Sequence, residues 1–175
     1  MSKPIPSSPA LPIAHITLRI LIILNWIAGA AILALLVILP NGEWIKEAFK
    51  LAPEIELARL MLGLRTIAVL GLVAIPLNYL ILKKLLAMVE TVRAGDPFAA
   101  TNAQRLQAIA WALLVLQCLS IVIGAIGKSL STAQYPVKMD AGFSLTAWLT
   151  VLLVFLLARV FAEGARMRDD LEGTV

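Results

Sequence analysis

Apolar residues in this chain fall into four long runs. The first, Ile16–Leu39, is interrupted only by Thr17, Arg19 and Asn25. The second, Leu60–Leu82, carries Arg65 near its start and Asn78 near its end, and the third and fourth cover Leu106–Ile126 and Phe143–Phe161. Each approaches or exceeds the ~20 residues that take a helix across a ~30 Å hydrocarbon core at ~1.5 Å per residue. Backbone amides in lipid must be satisfied within the segment or in a closed barrel. Barrel strands need alternating polarity over about ten residues, and the runs show none. The pattern therefore predicts an all-α integral membrane protein, with four transmembrane helices in an up-down bundle.

The segments between the runs refine this layout. Residues 1–15 are rich in proline and serine near the start and read as a flexible cytoplasmic tail. The membrane domain then covers 16–165, with spans at about 16–39, 60–82, 106–126 and 143–161, and a cytoplasmic C-terminal tail covers 166–175. The first run is too long for the ~7–15-residue apolar core of a signal peptide, and Ala28-Gly29-Ala30 lies in its middle, so it reads as an uncleaved span. After Pro40-Asn41-Gly42, a turn signal, Trp44, Ile45, Ala48 and Phe49 share one helical face opposite charged residues. That predicts a short amphipathic outer helix lying in the interface; a lid over a ligand is the sharper alternative. Pro53, Glu54 and Glu56 suit a helix start, and no breaker but Pro76 follows until Gly95. The second helix should thus run from Pro53 to Ala94, about 63 Å, and project past the bilayer. A kink is expected at Pro76, accommodated by neighbouring helices or used as a hinge.

The connector between the second and third spans is the most specific stretch. Gly95 suits a left-handed helix C-cap, and Asp96-Pro97 forbids continuation. Thr101-Asn102-Ala103-Gln104 reads as a capping box opening the third helix. A tight hairpin follows, which makes the second and third spans antiparallel neighbours.

Composition and charge agree with a membrane home. The chain has 175 residues, of which 61% are hydrophobic, and a mean hydropathy of +0.92; soluble chains keep about half their residues apolar. With the N-terminus inside, the cytoplasm receives Lys3, Arg19, Lys83, Lys84, Arg93, Arg105, Arg159, Arg166 and Arg168, while the outside receives Lys46, Lys50, Arg59, Arg65, Lys128 and Lys138. The bias is modest, but its juxtamembrane members set topology, so both termini are expected in the cytoplasm. The pI of about 9.5 then reflects contact with an anionic leaflet, with no direct nucleic acid binding.

Chemistry is sparse. The single histidine, His15, and the single cysteine, Cys118, lack the neighbours that a metal site requires, and no nucleophile–base pair or phosphate loop is visible. No enzyme, cofactor or metal is expected. Asn25, Asn78 and Gln117 are the intramembrane polar residues, with Arg65 and Arg159 near opposite faces. Interhelical hydrogen bonding is their ordinary role, and a substrate pathway the sharper one. Gly29, Ala30, Ala31 and Ala34 in the first span, with Gly63 and Gly71 in the second, permit close helix contact.

Arg93-Ala94-Gly95-Asp96-Pro97-Phe98, followed by Asn102 and Arg105-Leu106, resembles the "G-x-P-F … N … R-L" signature of a bacterial membrane family called domain of unknown function 2975. The ending Arg159-Val160-Phe161-Ala162-Glu163-Gly164, with Asp169-Asp170-Leu171-Glu172-Gly173-Thr174-Val175, is similar to that family's "F-x-x-G … acidic … T-V" close. The resemblance implies a multi-pass protein of the bacterial inner membrane with no assigned catalytic residues. Its members are often encoded beside a small helix–turn–helix regulator, which implies a soluble regulatory partner. On this reading the candidate partner-contact residues are Arg93, Gly95, Asp96, Pro97, Phe98, Asn102, Arg105, Gly164, Arg166 and Arg168. Gly95–Phe98 also reads as simply a good tight turn. Two functions follow: a regulatory or interaction protein with a cytoplasmic docking edge, or a small transporter or channel subunit, necessarily a homo-oligomer.

Overall fold

The computed structural model describes residues 10–38, 57–131 and 142–172. Within them lie four helices: α1 (Ala10–Ile38), α2 (Leu57–Arg93), α3 (Ala100–Leu130) and α4 (Leu145–Glu172). All are long and apolar enough to cross a membrane, and no strand occurs among the described residues. The expected amphipathic outer helix around Trp44, and the start of α2 at Pro53, lie outside the described residues.

Helix limits differ from the apolar runs where polar residues still satisfy a helix. α1 begins at Ala10, so Ala10–His15, assigned above to the flexible tail, is helical. Pro12 is tolerated there because first-turn amides have no intrahelical partner. α2 continues unbroken through Pro76. α3 opens at Ala100 with Ala99 as N-cap and no side-chain cap, so Thr101 lies inside the first turn and the expected capping box does not form.

Each helix makes its extensive contacts with the next in the chain: α1 with α2, α2 with α3, and α3 with α4. The order is up-down and sequential. Glycines set the closest approaches. In α1, Gly29 lies where an added Cβ would stand 3.2 Å from the Ile75 side chain, and in α2 a Cβ on Gly71 would stand 3.5 Å from Ile32. A Cβ on Gly63 would run into the side chain of Leu130. The outward faces are apolar: Ile16, Leu24, Val73, Leu149, Leu152 and Leu156 are all exposed. Such a surface far exceeds the few hundred Å² a soluble monomer shows, and lipid makes it favourable.

Helix register fixes the depth of the charged residues. Gly63 against Leu130 brings Arg65 level with Lys128. At the other end Thr91 bonds Asn102, and on the next pair Trp111 meets Phe155 at 5.4 Å between ring centroids. Together these place Lys83, Lys84, Arg105 and Arg159 in a belt about two turns deep. From Arg65 to Lys83 α2 rises about 27 Å, close to a hydrocarbon core.

Several side chains between these limits donate to backbone carbonyls. Asn25 Nδ2 donates to the Ile75 carbonyl at 3.2 Å, tying α1 to α2 beside Pro76. Thr66 and Thr150 donate to the carbonyls of Leu62 and Thr146, both at 2.8 Å, a common hydroxyl habit within helices. Gln117, 7% exposed, donates to the Gly142 carbonyl at 3.4 Å, and the Gly142 amide donates to Ser120 Oγ at 3.2 Å. Gly142 precedes α4 with φ +135, so its peptide groups lack helical partners. Its bond to Ser120 sets it about 12 Å inward of Lys128, where unsatisfied backbone is costly; Gln117 and Ser120 supply the missing bonds. The Trp148 indole nitrogen, near the start of α4, is buried without a hydrogen-bond partner among the described residues.

Candidate functional site

The α2–α3 hairpin end is built from backbone caps upward. α2 stops in a Schellman arrangement: the Gly95 amide donates to the Val92 carbonyl at 3.1 Å and the Asp96 amide to the Thr91 carbonyl at 3.0 Å. Gly95 has φ +85, a left-handed value that favours glycine. The chain then turns through Asp96-Pro97-Phe98 and enters α3, with the Asn102 amide donating to the Ala99 carbonyl at 2.8 Å.

Asn102 is the node of this turn and is fully buried. Its Nδ2 donates to Thr91 Oγ1 at 2.9 Å and to the Pro97 carbonyl at 3.0 Å. Its Oδ1 accepts from the Arg105 guanidinium at 2.8 Å, and the same nitrogen of Arg105 donates to the Ala87 carbonyl at 3.1 Å. Thr91 Oγ1 in turn donates to the Met88 carbonyl at 2.8 Å. One amide thus joins the last turn of α2, the connector and the first turn of α3. Leu106, 4% exposed, lies one turn further along the same face of α3. In a buried setting every such partner matters, because an unsatisfied polar group costs about 1–3 kcal/mol.

The C-terminal part of α4 closes over the connector. Phe98 lies on Gly164, where an added Cβ would stand 3.2 Å from the ring, and its centroid is 5.6 Å from that of Phe161. One turn further, Arg168 pairs with Asp96 at 2.5 Å. The connector and the α4 ending, read separately in the sequence, therefore meet as one unit. Gly164 is small because the Phe98 ring occupies its face.

The expected contact residues divide by their surroundings. Asn102 and Arg105 are engaged inside the hairpin, and Gly164, Asp96 and Arg168 join the connector to α4. Gly95, Pro97, Arg93 and Arg166 are exposed, Arg166 standing 3.7 Å from Glu163. Phe98 stays 47% exposed despite its contacts, and Met167 and Leu171 are 58% and 72% exposed on α4. Arg168 against Asp96 sets Met167 at the level of the connector. Sequence reasoning did not count Thr91 or Phe161 among the contact residues, although Phe161 stands in the α4 motif quoted above; Thr91 lies one turn before Gly95, where a hydroxyl can serve the C-cap. It also left out the His15–Glu90 approach, 3.8 Å between Nε2 and Oε1, which links α1 to the end of α2. Of the intramembrane set, Asn25 and Gln117 bond backbone as described, and Asn78 is half-buried on α2. No group of three or more potential metal ligands occurs among the described residues.

A family model described as "Protein of unknown function (DUF2975)" matches residues 65–175, from Arg65 in α2 through the hairpin and α4. Neither a curated protein nor a solved structure matches the chain. With more than half of its length matched, the chain belongs to the DUF2975 family of proteins of unknown function, and its four long apolar helices make it a multi-pass membrane protein.

Proposed function

We propose that the chain is a membrane-anchored interaction protein of the bacterial inner membrane, regulatory in role, whose hairpin end lies in the cytoplasm and receives a soluble partner. The observation that carries this reading is the exposure of Phe98, Met167 and Leu171 at the end remote from the hydrocarbon core. α2 rises about 15 Å from Lys83 to Arg93, more than the ~5–8 Å left for headgroups on one side of a bilayer. Apolar side chains held in water beyond the headgroups favour a protein partner over lipid. Arg93 and Arg166 flank them as a basic rim, which suits an acidic surface. The family resemblance points to a small helix–turn–helix regulator as that partner. Juxtamembrane Lys83, Lys84 and Arg159 support the cytoplasmic placement of this end.

The test is co-purification of the full chain from native membranes with whatever soluble protein it holds. Met167→Asp alters a side chain that is 58% exposed, so the fold should persist; loss of the partner with unchanged helical content supports the reading. Enrichment of the same protein by both forms, or of none, contradicts it. A transporter or channel subunit remains the alternative, with flux in liposomes as its signature. The engagement of Asn25 and Gln117 by backbone carbonyls supports the interaction reading over a substrate path.

A further inference from the structure

On the flank of α3 and α4 away from the Phe98 contact lies a groove of about 380 Å³, within the ~300–1,000 Å³ range of ligand sites. Its walls carry Gln104 and Gln107 from α3 and Arg159 and Arg166 from α4, over a floor that includes Ala158 and Ala162. No carboxylate lines it among the described residues. The spacing follows from helix geometry: Arg159 and Arg166 are two turns apart on one face, about 10 Å along the axis, and the glutamines are about one turn apart on the facing helix. Alanines on the floor let the polar side chains border an open channel rather than a packed seam.

Depth identifies what reaches this channel. Trp111 against Phe155 brings Gln107 level with Arg159, and the Thr91–Asn102 bond places both about 5 Å past Lys83, in the headgroup layer. The Arg166 backbone stands about 10 Å further out, and its long side chain leans back toward the bilayer, because helical side chains tilt toward the helix N-terminus. Below Arg159 on α4, Leu152 and Leu156 are exposed toward lipid. Guanidinium groups bind phosphate with paired N–H donors, and primary amides add donors. Arg166 stands 3.7 Å from Glu163, with both side chains more than half exposed, a loose pair that a phosphate can displace.

We infer that the α3–α4 groove binds the phosphate of an anionic lipid headgroup through Arg159, Arg166, Gln104 and Gln107, with the acyl chains lying along α4. The bound lipid belongs to the leaflet beside the hairpin end. This site overlaps the docking edge at Arg166 alone, and Arg159, Gln104 and Gln107 take no part in the proposed partner contact.

The experiment compares the purified full chain, exchanged into phosphatidylglycerol–phosphatidylcholine nanodiscs, with the Arg159→Gln/Arg166→Gln variant. Native mass spectrometry after detergent extraction reads the phosphatidylglycerol retained. At roughly 1 kcal/mol for each basic residue near an anionic surface, the double variant should lose about 30-fold in preference for phosphatidylglycerol. Gln107→Leu should lose less, and Arg93→Gln, outside the groove, should lose no more than the roughly 5-fold of a single basic residue near an anionic surface. Circular dichroism and thermal unfolding in phosphatidylcholine alone check that the double variant is folded. Equal retention by a folded double variant overturns the site, as does an equal loss in Arg93→Gln, which would mark a diffuse basic surface. Displacement of the lipid by inorganic phosphate as readily as by added phosphatidylglycerol assigns the groove to a soluble anion and overturns the lipid assignment.

Discussion

Replacing Asn102 with alanine removes the side chain that joins three segments of the hairpin end. Two donated bonds are lost, to Thr91 Oγ1 and the Pro97 carbonyl, together with the acceptor of the Arg105 guanidinium. The site is fully buried, so water does not readily replace them. At a net of about 1 kcal/mol per bond, with an added cost for partners left unsatisfied, the loss is about 2–4 kcal/mol. Lipid packing of the four spans is untouched, so the effect should be local opening rather than loss of the membrane fold. Hydrogen exchange with mass spectrometry on the full chain in micelles reads this directly. Amides around residues 87–105 should exchange roughly 30- to 1,000-fold faster, while those in the middle of α2 and α3 keep their protection. Unchanged exchange in the hairpin would refute the node, and uniform loss across all helices would show that Asn102 supports the whole domain instead.

Other substitutions separate the remaining contacts. Phe98→Ala should cost about 1–2 kcal/mol, from part of a phenyl burial and one aromatic pair, seen as faster exchange in the last turns of α4. Exchanging the charges of Asp96 and Arg168 singly should cost under about 1 kcal/mol, because the pair is about half exposed, and the double swap should recover most of it in a thermal double-mutant cycle. Asn25→Leu should cost only about 0.6 kcal/mol in thermal unfolding, the average for a hydrogen bond between membrane helices. Trp148→Phe removes a buried donor without a partner, so its lost volume should be largely offset and the melting temperature nearly unchanged.

The spans were legible because lipid imposes a length and a polarity on any crossing segment, and little else in a sequence imitates that. The C-cap at Gly95 was legible for a similar reason: a left-handed turn followed by Asp-Pro leaves few conformations. Asn102 was visible as a residue to watch, but its partners were not. Whether a polar side chain at the start of α3 faces α2 or solvent depends on the turn geometry, and here α3 starts one residue before Thr101. The meeting of Phe98 with Gly164 was further out of reach, because it rests on the rotation of α4 about its own axis. That rotation is set by Ala158, Ala165 and their neighbours packing on α3, where small and large residues alternate without a period that sequence alone resolves. Gln117 read as helix-to-helix glue; its bond goes instead to a non-helical peptide at Gly142, a need that appears only once α4 is seen to begin deep in the layer.

The most direct measurement is thiol cross-linking between the two halves of the hairpin-end unit. In a Cys118→Ala background, Phe98→Cys combined with Gly164→Cys puts thiols on either side of the contact that ring and glycine now make, a ring's width apart and within the span of a short bifunctional thiol reagent. That reagent in native membranes should give an intramolecular cross-link, with Phe98→Cys paired with Ala147→Cys as the unreactive control. Failure to form that cross-link, or formation only between separate chains, would contradict the docking of the connector against α4 on which the proposed surface depends.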